Sequence, residues 1–312
     1  MKIDELEALL RKEEKLGENL TVLLQEPERL NFNLSREVII DCNKLHKRSK
    51  YLFRAMCRGE ITVSCEVTKR LKCFYLKRTH PFLRLAPIRA EQLYLSPDVY
   101  LFYNVLSDNE INVIKDISLE EFTLAAVNKQ ISSTSALNRC VRIEIYLEDN
   151  KSSVLTKVRQ RVEHFSGLNI NYSDMFQVVY YDVGGFKAPH HDFAQDKQYK
   201  HNENRLSTIL FYISNVHQGG ATVFLHLGLT VYPVKGAALY WKNLYPSGEK
   251  DVLTCHASCP VLQGSKWGKL VISRRINLVG QERSFPCTLS QKKGRRLYLP
   301  SLKKELFNKN LF

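Results

Sequence analysis

After Asn169 the sequence breaks into short β-like runs, and this pattern narrows the possible folds more than any other. The runs are rich in valine, isoleucine, tyrosine, phenylalanine and threonine, which favour a pleated, half-buried surface. Glycine and proline separate them. The runs cover residues 175–181, 206–214, 221–225, 229–232, 237–242, 252–255 and 269–273. Many short strands without intervening helices predict two packed sheets, because an α/β protein would alternate strands with helices.

Helical patterns precede these runs. Apolar residues recur at helical spacing over residues 3–26 and again over about 36–58. Farther along, Ser107 and Glu110 have the spacing of a capping box at the start of a helix, and residues 151–166 form another amphipathic pattern. Together the patterns predict an α+β, mainly β protein, with a double-stranded β-helix (jelly roll) core buttressed by helices and a short helical N-terminal region.

Three regions follow from this division of the chain. Residues 1–90 are predicted to be a helical N-terminal region, residues 91–290 the jelly-roll domain, and residues 291–312 a basic tail. The first boundary is placed where extended, proline-containing chain follows the second helical pattern. Residues Val99–Val105 then alternate in the manner of a strand.

The composition excludes some classes of protein. No apolar run approaches the roughly 20 residues that a membrane-spanning helix needs, and the acidic residues near the start predict no secretory signal. The net charge of +14 raises the alternative of a nucleic-acid partner. The basic residues are spread along the chain and no nucleic-acid motif accompanies them, so a generally basic surface is the preferred interpretation.

The candidate chemistry begins at the sequence Pro189-His190-His191-Asp192-Phe193, which follows a Gly-Gly turn. Residues two apart in extended chain point to the same face, so His190 and Asp192 can converge on one metal ion while His191 points away. A His-x-Asp triplet alone is a weak signal, because most such triplets are accidental polar residues.

A third metal ligand must come from a distant strand. His256 is the best candidate, since it lies in the strand-like run Val252–Ala257. Two histidines and one carboxylate leave three adjacent positions open on the ion, which suits Fe²⁺ that must hold an oxo acid and oxygen together. Lys266 follows shortly after and is a cation suited to the far carboxylate of a 2-oxo diacid.

Further motifs surround these residues in a consistent order. They are Gly184-Gly185, Ala194 after the His-His-Asp-Phe sequence, Arg205, Leu210-Phe211-Tyr212-Ile213-Ser214, Gly219-Gly220-Ala221-Thr222-Val223-Phe224, Trp241 with Asn243-Leu244, His256 through Val261, and Gly264 through Trp267. With these motifs the sequence resembles the catalytic domain of the procollagen prolyl 4-hydroxylase α subunit family, from about Cys57 to Cys287.

The resemblance implies a reaction and its cofactors. The expected enzyme is a procollagen-proline 4-dioxygenase that hydroxylates peptidyl proline to 4-hydroxyproline in collagen-like sequences. Oxidative decarboxylation of 2-oxoglutarate to succinate is coupled to this step. Fe²⁺, 2-oxoglutarate and L-ascorbate are the implied cofactors and cosubstrate, and protein disulfide isomerase is the implied partner subunit.

The resemblance also implies roles for individual residues. It places iron on His190, Asp192 and His256, and the distal carboxylate of 2-oxoglutarate on Lys266. It further implies that Tyr181 and Thr222 assist at that carboxylate and that Trp241 lines the iron pocket. Without the resemblance, Tyr181 and Trp241 would be interpreted as core aromatic residues and Thr222 as a β-branched strand residue.

Cysteine pairing and location are implied in the same way. The family's disulfides correspond here to Cys57 with Cys73 and to Cys259 with Cys287. If both form, the compartment is oxidising, and the endoplasmic reticulum lumen is the location that the family implies. The other cysteines are expected to be buried free thiols. They are Cys42, Cys65, Cys140 and Cys255.

Two rival functions stay open at this point. The first is a catalytically weak or inactive homologue that binds collagen-like or other proline-rich chains. Residues 268–279 depart from the family pattern, which leaves this alternative open. The second is a basic, nucleic-acid-directed oxygenase, whose binding would fall steeply with salt. An intact ligand set with Lys266 argues against the first, and the absence of a nucleic-acid motif argues against the second.

Overall fold

The structure is a computed structural model that describes residues 47–128, 142–168, 173–194, 204–245 and 247–271. Four α-helices and fourteen β-strands lie in these ranges. The helices are α1 (Lys47–Cys57), α2 (Cys65–Thr68), α3 (Asp108–Asn128) and α4 (Ser153–Ser166). The first seven strands are β1 (Cys73–Leu76), β2 (Ile88–Leu95), β3 (Asp98–Tyr103), β4 (Arg142–Leu147), β5 (Phe176–Tyr181), β6 (Lys187–His190) and β7 (Ser207–Phe211). The others are β8 (Gln218–Gly219), β9 (Thr222–Phe224), β10 (Leu229–Val231), β11 (Ala238–Lys242), β12 (His256–Ser258), β13 (Val261–Gln263) and β14 (Lys266–Val271).

The strands form two main antiparallel sheets, called here the large sheet and the small sheet. The large sheet has a five-stranded part of order β1-β2-β3-β11-β7 and a three-stranded part of order β14-β5-β4. A bridge between Tyr212 and Gly268 connects these two parts. The small sheet has the order β10-β9-β12-β6, and β13 pairs separately with β8. This mainly antiparallel architecture confirms the predicted jelly-roll class.

Alternation along the central strands builds two layers of core. On β3, Val99 and Leu101 pack toward the small sheet, in a cluster that includes Phe224 of β9. Tyr100 and Phe102 point to the opposite face, where they pack with residues of α3 and α4. Because the large sheet is covered on both faces, β3 is almost continuously buried instead of alternating between buried and exposed.

Several sequence-based expectations hold in the described ranges. The capping box is present, since Ser107 N donates to Glu110 Oε2 at 2.9 Å and Glu110 N donates to Ser107 Oγ at 3.4 Å. The helix predicted over residues 151–166 corresponds to α4. Of the pattern over residues 36–58, α1 is the described part. The pattern over 3–26 and the tail 291–312 lie outside the described residues.

Two local predictions differ from the structure. The run 252–255 was predicted as a strand, but Val252–Thr254 forms a 3₁₀-helix. Asp251 explains this, because its side chain accepts from Leu253 N at 3.1 Å and thereby caps the helical turn. The domain boundary expected near residue 90 falls inside β2, which pairs with β1, so the structure favours an earlier start for the β region.

The predicted pairing of Cys57 with Cys73 is wrong in this structure. Cys57 is bonded to Cys259, with 5.6 Å between their Cα atoms, and Cys73 is free and exposed. The reason is the packing of α1 on the small sheet, in a cluster that includes Met56 and Cys259. Cys73 begins β1 at the edge of the large sheet instead.

The other predicted cysteine assignments fare differently. The predicted pairing of Cys259 with Cys287 is also wrong in this structure, because Cys259 is already bonded to Cys57. Cys287 itself lies outside the described residues, as do Cys42 and Cys140. Cys255 was expected to be a free thiol but is disulfide-bonded. Cys65 is free as expected, although it is exposed instead of buried.

Candidate metal centre

Antiparallel pairing of β6 with β12 brings the three predicted metal ligands together. His190 is the last residue of β6 and His256 is the first of β12, and the register places them opposite each other. Asp192 follows His190 by two residues. One ligand atom from each of the three residues lies within 4.8 Å of the other two. The structure therefore brings together the three residues that the sequence analysis predicted as metal ligands.

Backbone carbonyls orient both imidazole rings. His190 Nδ1 lies 2.8 Å from Ala188 O, and His256 Nδ1 lies 3.0 Å from Thr254 O. A carbonyl oxygen can only accept, so each Nδ1 carries the hydrogen and each Nε2 keeps its lone pair. These Nε2 atoms face Asp192, at 3.4 Å from Oδ1 for His190 and 3.6 Å from Oδ2 for His256. Two neutral imidazoles and one carboxylate, converging in this way, fit a divalent iron ion.

Burial differs across the three ligands. Asp192 and His256 are 6% and 4% exposed, whereas the side chain of His190 is 22% exposed. The site is thus closed by protein on one side and open toward His190. His191, between two ligands, points elsewhere as predicted: its ring stacks on Phe193, and its Nε2 lies 3.0 Å from Val252 O.

Trp241 on β11 lies against one ligand. Its ring packs edge-on against the His256 imidazole, with 4.8 Å between the centroids. The indole Nε1 donates to Asn243 Oδ1 at 2.9 Å. This contact places Trp241 beside a predicted metal ligand, and its role in lining an iron pocket stays a prediction.

Lys266 on β14 holds a buried ammonium group. The residue is 2% exposed. Its Nζ donates to Gly220 O at 2.6 Å and to Ser258 Oγ at 2.9 Å. The rings of Tyr181 and Tyr212 also lie near it, with centroids 5.6 Å and 5.8 Å from Nζ. A buried ammonium group is suited to an anionic ligand, because a charge-assisted hydrogen bond is strong where water is excluded.

The turn before Gly220 requires glycine. Gly219 has a φ of +81°, and a β-carbon there would lie 2.2 Å from Pro260 O. No other residue fits so close to backbone. This approach places the Gly220 carbonyl where it accepts from Lys266.

The metal ligands and Lys266 are connected through β12. His256 and Ser258 are two residues apart on this strand, so their side chains share one face. Ser258 contacts the Lys266 ammonium directly. Since a strand rises about 3.3 Å per residue, the two positions are about 7 Å apart. A short 2-oxo diacid can therefore bind the metal with one end and Lys266 with the other.

Tyr181 and Thr222 lie near the Lys266 end of the site, and their assistance at a bound carboxylate stays a prediction. Tyr181 is opposite Lys266 in the pairing of β5 with β14, and burial raises the pKa of its phenol, so the hydroxyl stays protonated. Thr222 Oγ1 accepts from Tyr212 at 3.0 Å. Thr222 is also opposite Ser258 in the pairing of β9 with β12.

Sequence reasoning assigned no role to five residues near the site, although Tyr212, Asn243 and Ser258 lie within the motifs named above. Thr208 donates to Asp192, and Asn243 donates to Thr208. Ser258 and the ring of Tyr212 lie beside the Lys266 ammonium group. Arg142 lies opposite Tyr181 on β4, with its guanidinium carbon 5.8 Å from the Tyr181 ring. The only available signal was alternation, since Ser258 and Asn243 each lie two residues after a predicted site residue.

Comparison with known proteins agrees with this geometry. Residues 176–275 match the model of the 2OG-Fe(II) oxygenase superfamily. The chain is 42% identical over 248 residues to prolyl 4-hydroxylase subunit alpha-2 of Caenorhabditis elegans, covering 77% of this chain and 45% of that protein. It is 36% identical over 292 residues to prolyl 4-hydroxylase subunit alpha-2 of Gallus gallus, covering 90% and 52%. The chain spans about half the length of the curated relatives it matches, and the resemblance seen in the sequence is confirmed.

Among solved structures, the viral collagen prolyl hydroxylase of Paramecium Bursaria Chlorella virus-1, in its 2OG complex, aligns with a TM-score of 0.45. The identity is 20%, over 57% of this chain and 96% of that chain. The fold assignment rests on the strand order of this chain and on the family match. Within the described ranges, no helix has the length and apolar character needed to cross a membrane.

Proposed function

We propose that the chain is an Fe²⁺- and 2-oxoglutarate-dependent prolyl 4-hydroxylase, and the match of residues 176–275 to the model of the 2OG-Fe(II) oxygenase superfamily supports this proposal. The observation that carries this proposal is that one face of β12 presents both His256 and Ser258, which are two residues apart. His256 is a predicted metal ligand, and Ser258 accepts a hydrogen bond from Lys266. This spacing matches a diacid that reaches from a metal ion to a buried cation.

In this function each residue has a defined task. His190, Asp192 and His256 hold Fe²⁺ through Nε2, a carboxylate oxygen and Nε2. Lys266 binds the distal carboxylate of 2-oxoglutarate, with Tyr181 and Thr222 nearby. Bound iron supplies oxygen activation, coupled to oxidative decarboxylation of 2-oxoglutarate to succinate. The chain positions these groups and leaves the His190 side open for a peptide.

The proposed substrate is a proline residue in a proline-rich or collagen-like chain, converted to 4-hydroxyproline. Two relatives named as prolyl 4-hydroxylase subunits support this class of reaction. Their names as subunits also support a partner chain, for which the family resemblance points to protein disulfide isomerase. L-Ascorbate is proposed as the reductant that maintains Fe²⁺, also from the resemblance.

The proposed location is the endoplasmic reticulum lumen. The disulfide between Cys57 and Cys259 supports it, because such bonds persist in oxidising compartments and are rare in the cytosol. The bonded state of Cys255 adds a second observation of the same kind.

The test measures succinate release from 2-oxoglutarate by protein loaded with Fe²⁺ under anaerobic conditions and then exposed to oxygen. It is run with and without a (Pro-Pro-Gly) repeat peptide, and 4-hydroxyproline is measured by mass spectrometry. We expect peptide-stimulated succinate release that Asp192→Ala abolishes. Asp116→Ala, an exposed aspartate on α3, is the matched control and should leave turnover unchanged.

Each other outcome points to a different function. If the protein binds iron and the peptide but releases no succinate, the chain is a binding homologue and not an enzyme. If succinate forms without hydroxyproline, the oxygenase assignment stands and the substrate is wrong. If wild-type protein fails to bind iron, the ligand assignment is wrong.

A further inference from the structure

We propose that Trp241, Asn243 and Thr208 form a directional hydrogen-bond relay that keeps Asp192 a one-oxygen metal ligand. The inference rests on the proposed metal centre and assigns positioning residues to it. Trp241 Nε1 donates to Asn243 Oδ1 at 2.9 Å, and Asn243 Nδ2 donates to Thr208 Oγ1 at 2.9 Å. Thr208 Oγ1 is 2.7 Å from Asp192 Oδ2.

The direction of the relay follows from the donor chemistry of its first member. An indole N–H can only donate, so the Asn243 atom facing Trp241 must be the carbonyl oxygen. The amide nitrogen of Asn243 therefore faces Thr208 and donates to it. The single hydroxyl hydrogen of Thr208 is then directed to Asp192 Oδ2, which as a carboxylate oxygen can only accept.

Burial makes this direction stable. Trp241 is 1% exposed, and Asn243 and Thr208 are each 0% exposed. Reversing any one bond would leave a buried donor or acceptor without its partner, at a cost of about 1–3 kcal/mol. Thr208 and Trp241 are also opposite each other in the pairing of β7 with β11. Strand pairing in the large sheet thus holds the relay residues in position, and the relay orients the carboxylate of Asp192.

The consequence for the metal is a difference between the two carboxylate oxygens. Each oxygen faces one histidine, Oδ1 at 3.4 Å from His190 Nε2 and Oδ2 at 3.6 Å from His256 Nε2. Only Oδ2 accepts from the Thr208 hydroxyl, and this hydrogen bond reduces the electron density that Oδ2 can offer to a metal ion. Oδ1 is then the better ligand, and Asp192 binds through one oxygen. Coordination through both oxygens would occupy one of the three positions that a 2-oxo acid and oxygen need.

The experiment titrates Co²⁺ into metal-free protein and records both affinity and visible absorption, which reports the ligands around the ion. Thr208→Val keeps the side-chain shape and removes the hydroxyl. We expect it to lower Co²⁺ affinity about 10- to 100-fold and to shift the absorption bands, because the second carboxylate oxygen then replaces another ligand of the ion. Thr208→Ser, which restores the hydroxyl, should return both readouts toward wild type.

Two further variants keep the test decisive. Thr230→Val, on β10 of the small sheet, is the matched control and should leave Co²⁺ binding unchanged. If Thr208→Val does not fold, Trp241→Phe decides instead, because it keeps an aromatic ring beside His256 and removes the donor that orients Asn243. A several-fold loss of affinity is expected there.

The possible failures are distinguishable. If wild-type protein binds no Co²⁺, the proposed metal centre itself fails. If wild type binds Co²⁺ and folded Thr208→Val matches it in affinity and spectrum, the metal centre stands and the relay is overturned. If Thr208→Val loses affinity and Thr208→Ser does not recover it, the effect comes from packing, which also overturns the relay.

Discussion

At the scale of single residues, the buried ammonium group of Lys266 is suited to binding an anionic ligand. Its Nζ is held by the carbonyl of Gly220, the hydroxyl of Ser258 and two aromatic rings. A carboxylate arriving beside this ammonium gains a charge-assisted hydrogen bond in surroundings of low dielectric constant. The residue therefore favours anionic ligands of one length, set by its distance from the metal ligands.

Replacing Lys266 by methionine should weaken 2-oxoglutarate binding without removing the metal site. Methionine retains an unbranched apolar stem, so the loss comes from the ammonium, and truncating one member of a buried charge pair typically costs 2–5 kcal/mol. We expect the dissociation constant for 2-oxoglutarate to rise about 100-fold in Co²⁺-loaded protein. Ser258→Ala should raise it by a smaller factor of about 10. Unchanged affinity in Lys266→Met would refute the assigned role, and Co²⁺ affinity serves as the control.

At the scale of secondary-structure elements, the start of α3 is tied to α4 through one carboxylate. Glu110 accepts from the Ser107 backbone and hydroxyl, both at 2.9 Å. Arg161 of α4 donates to the same carboxylate from both terminal nitrogens, at 2.9 Å and 2.7 Å. Burial raises the pKa of Glu110, but these hydrogen bonds and the Arg161 charge outweigh it and lower the pKa to about 2.

This pKa predicts how stability depends on pH. A folded-state pKa below the ordinary 4.5 means that the charged form favours the folded protein. The contribution is fully present above about pH 4.5 and is lost as pH falls toward 2. Glu110→Gln should therefore lower the free energy of unfolding by about 1–2 kcal/mol at pH 7. Urea titrations of both proteins should show this gap narrowing below pH 4.5, and a constant gap would contradict the assignment.

At the scale of the whole molecule, one covalent bond ties the first described helix to the small sheet. Cys57 ends α1 and Cys259 follows β12, at a sequence separation of 202. Cross-linking positions so far apart removes much chain entropy from the unfolded state. The same bond also closes the cluster in which Leu52 and Met56 pack against the strand that carries His256.

Removing this disulfide should destabilise the protein by about 3–5 kcal/mol, measured as the free energy of unfolding of Cys57→Ser. Cys259→Ser should cost the same, and the double variant little more, since all three lose one bond. Cys73→Ser is the matched control and should change stability by less than about 0.5 kcal/mol, because Cys73 is free and exposed. Peptide mapping without reductant gives a direct check: a Cys57–Cys73 peptide would show that the predicted pairing was right.

Local sequence determined the parts of this protein that depend on near neighbours. The Ser107 and Glu110 spacing predicted the start of α3, and alternation placed His190 and Asp192 on one face. Ordered motifs were enough to single out His256 and Lys266, whose chemistry is unusual for strand residues. Such features were predictable because helices and strands have short, regular periods.

Only the tertiary structure decided which distant residues meet. Asn243 donates to Thr208, which donates to Asp192, and Cys57 reaches Cys259 instead of Cys73. These contacts depend on which strand lies beside which and in what register. Periodicity reports the face that a side chain occupies but not its partner across the sheet, because pairing is set by the packing of the whole core.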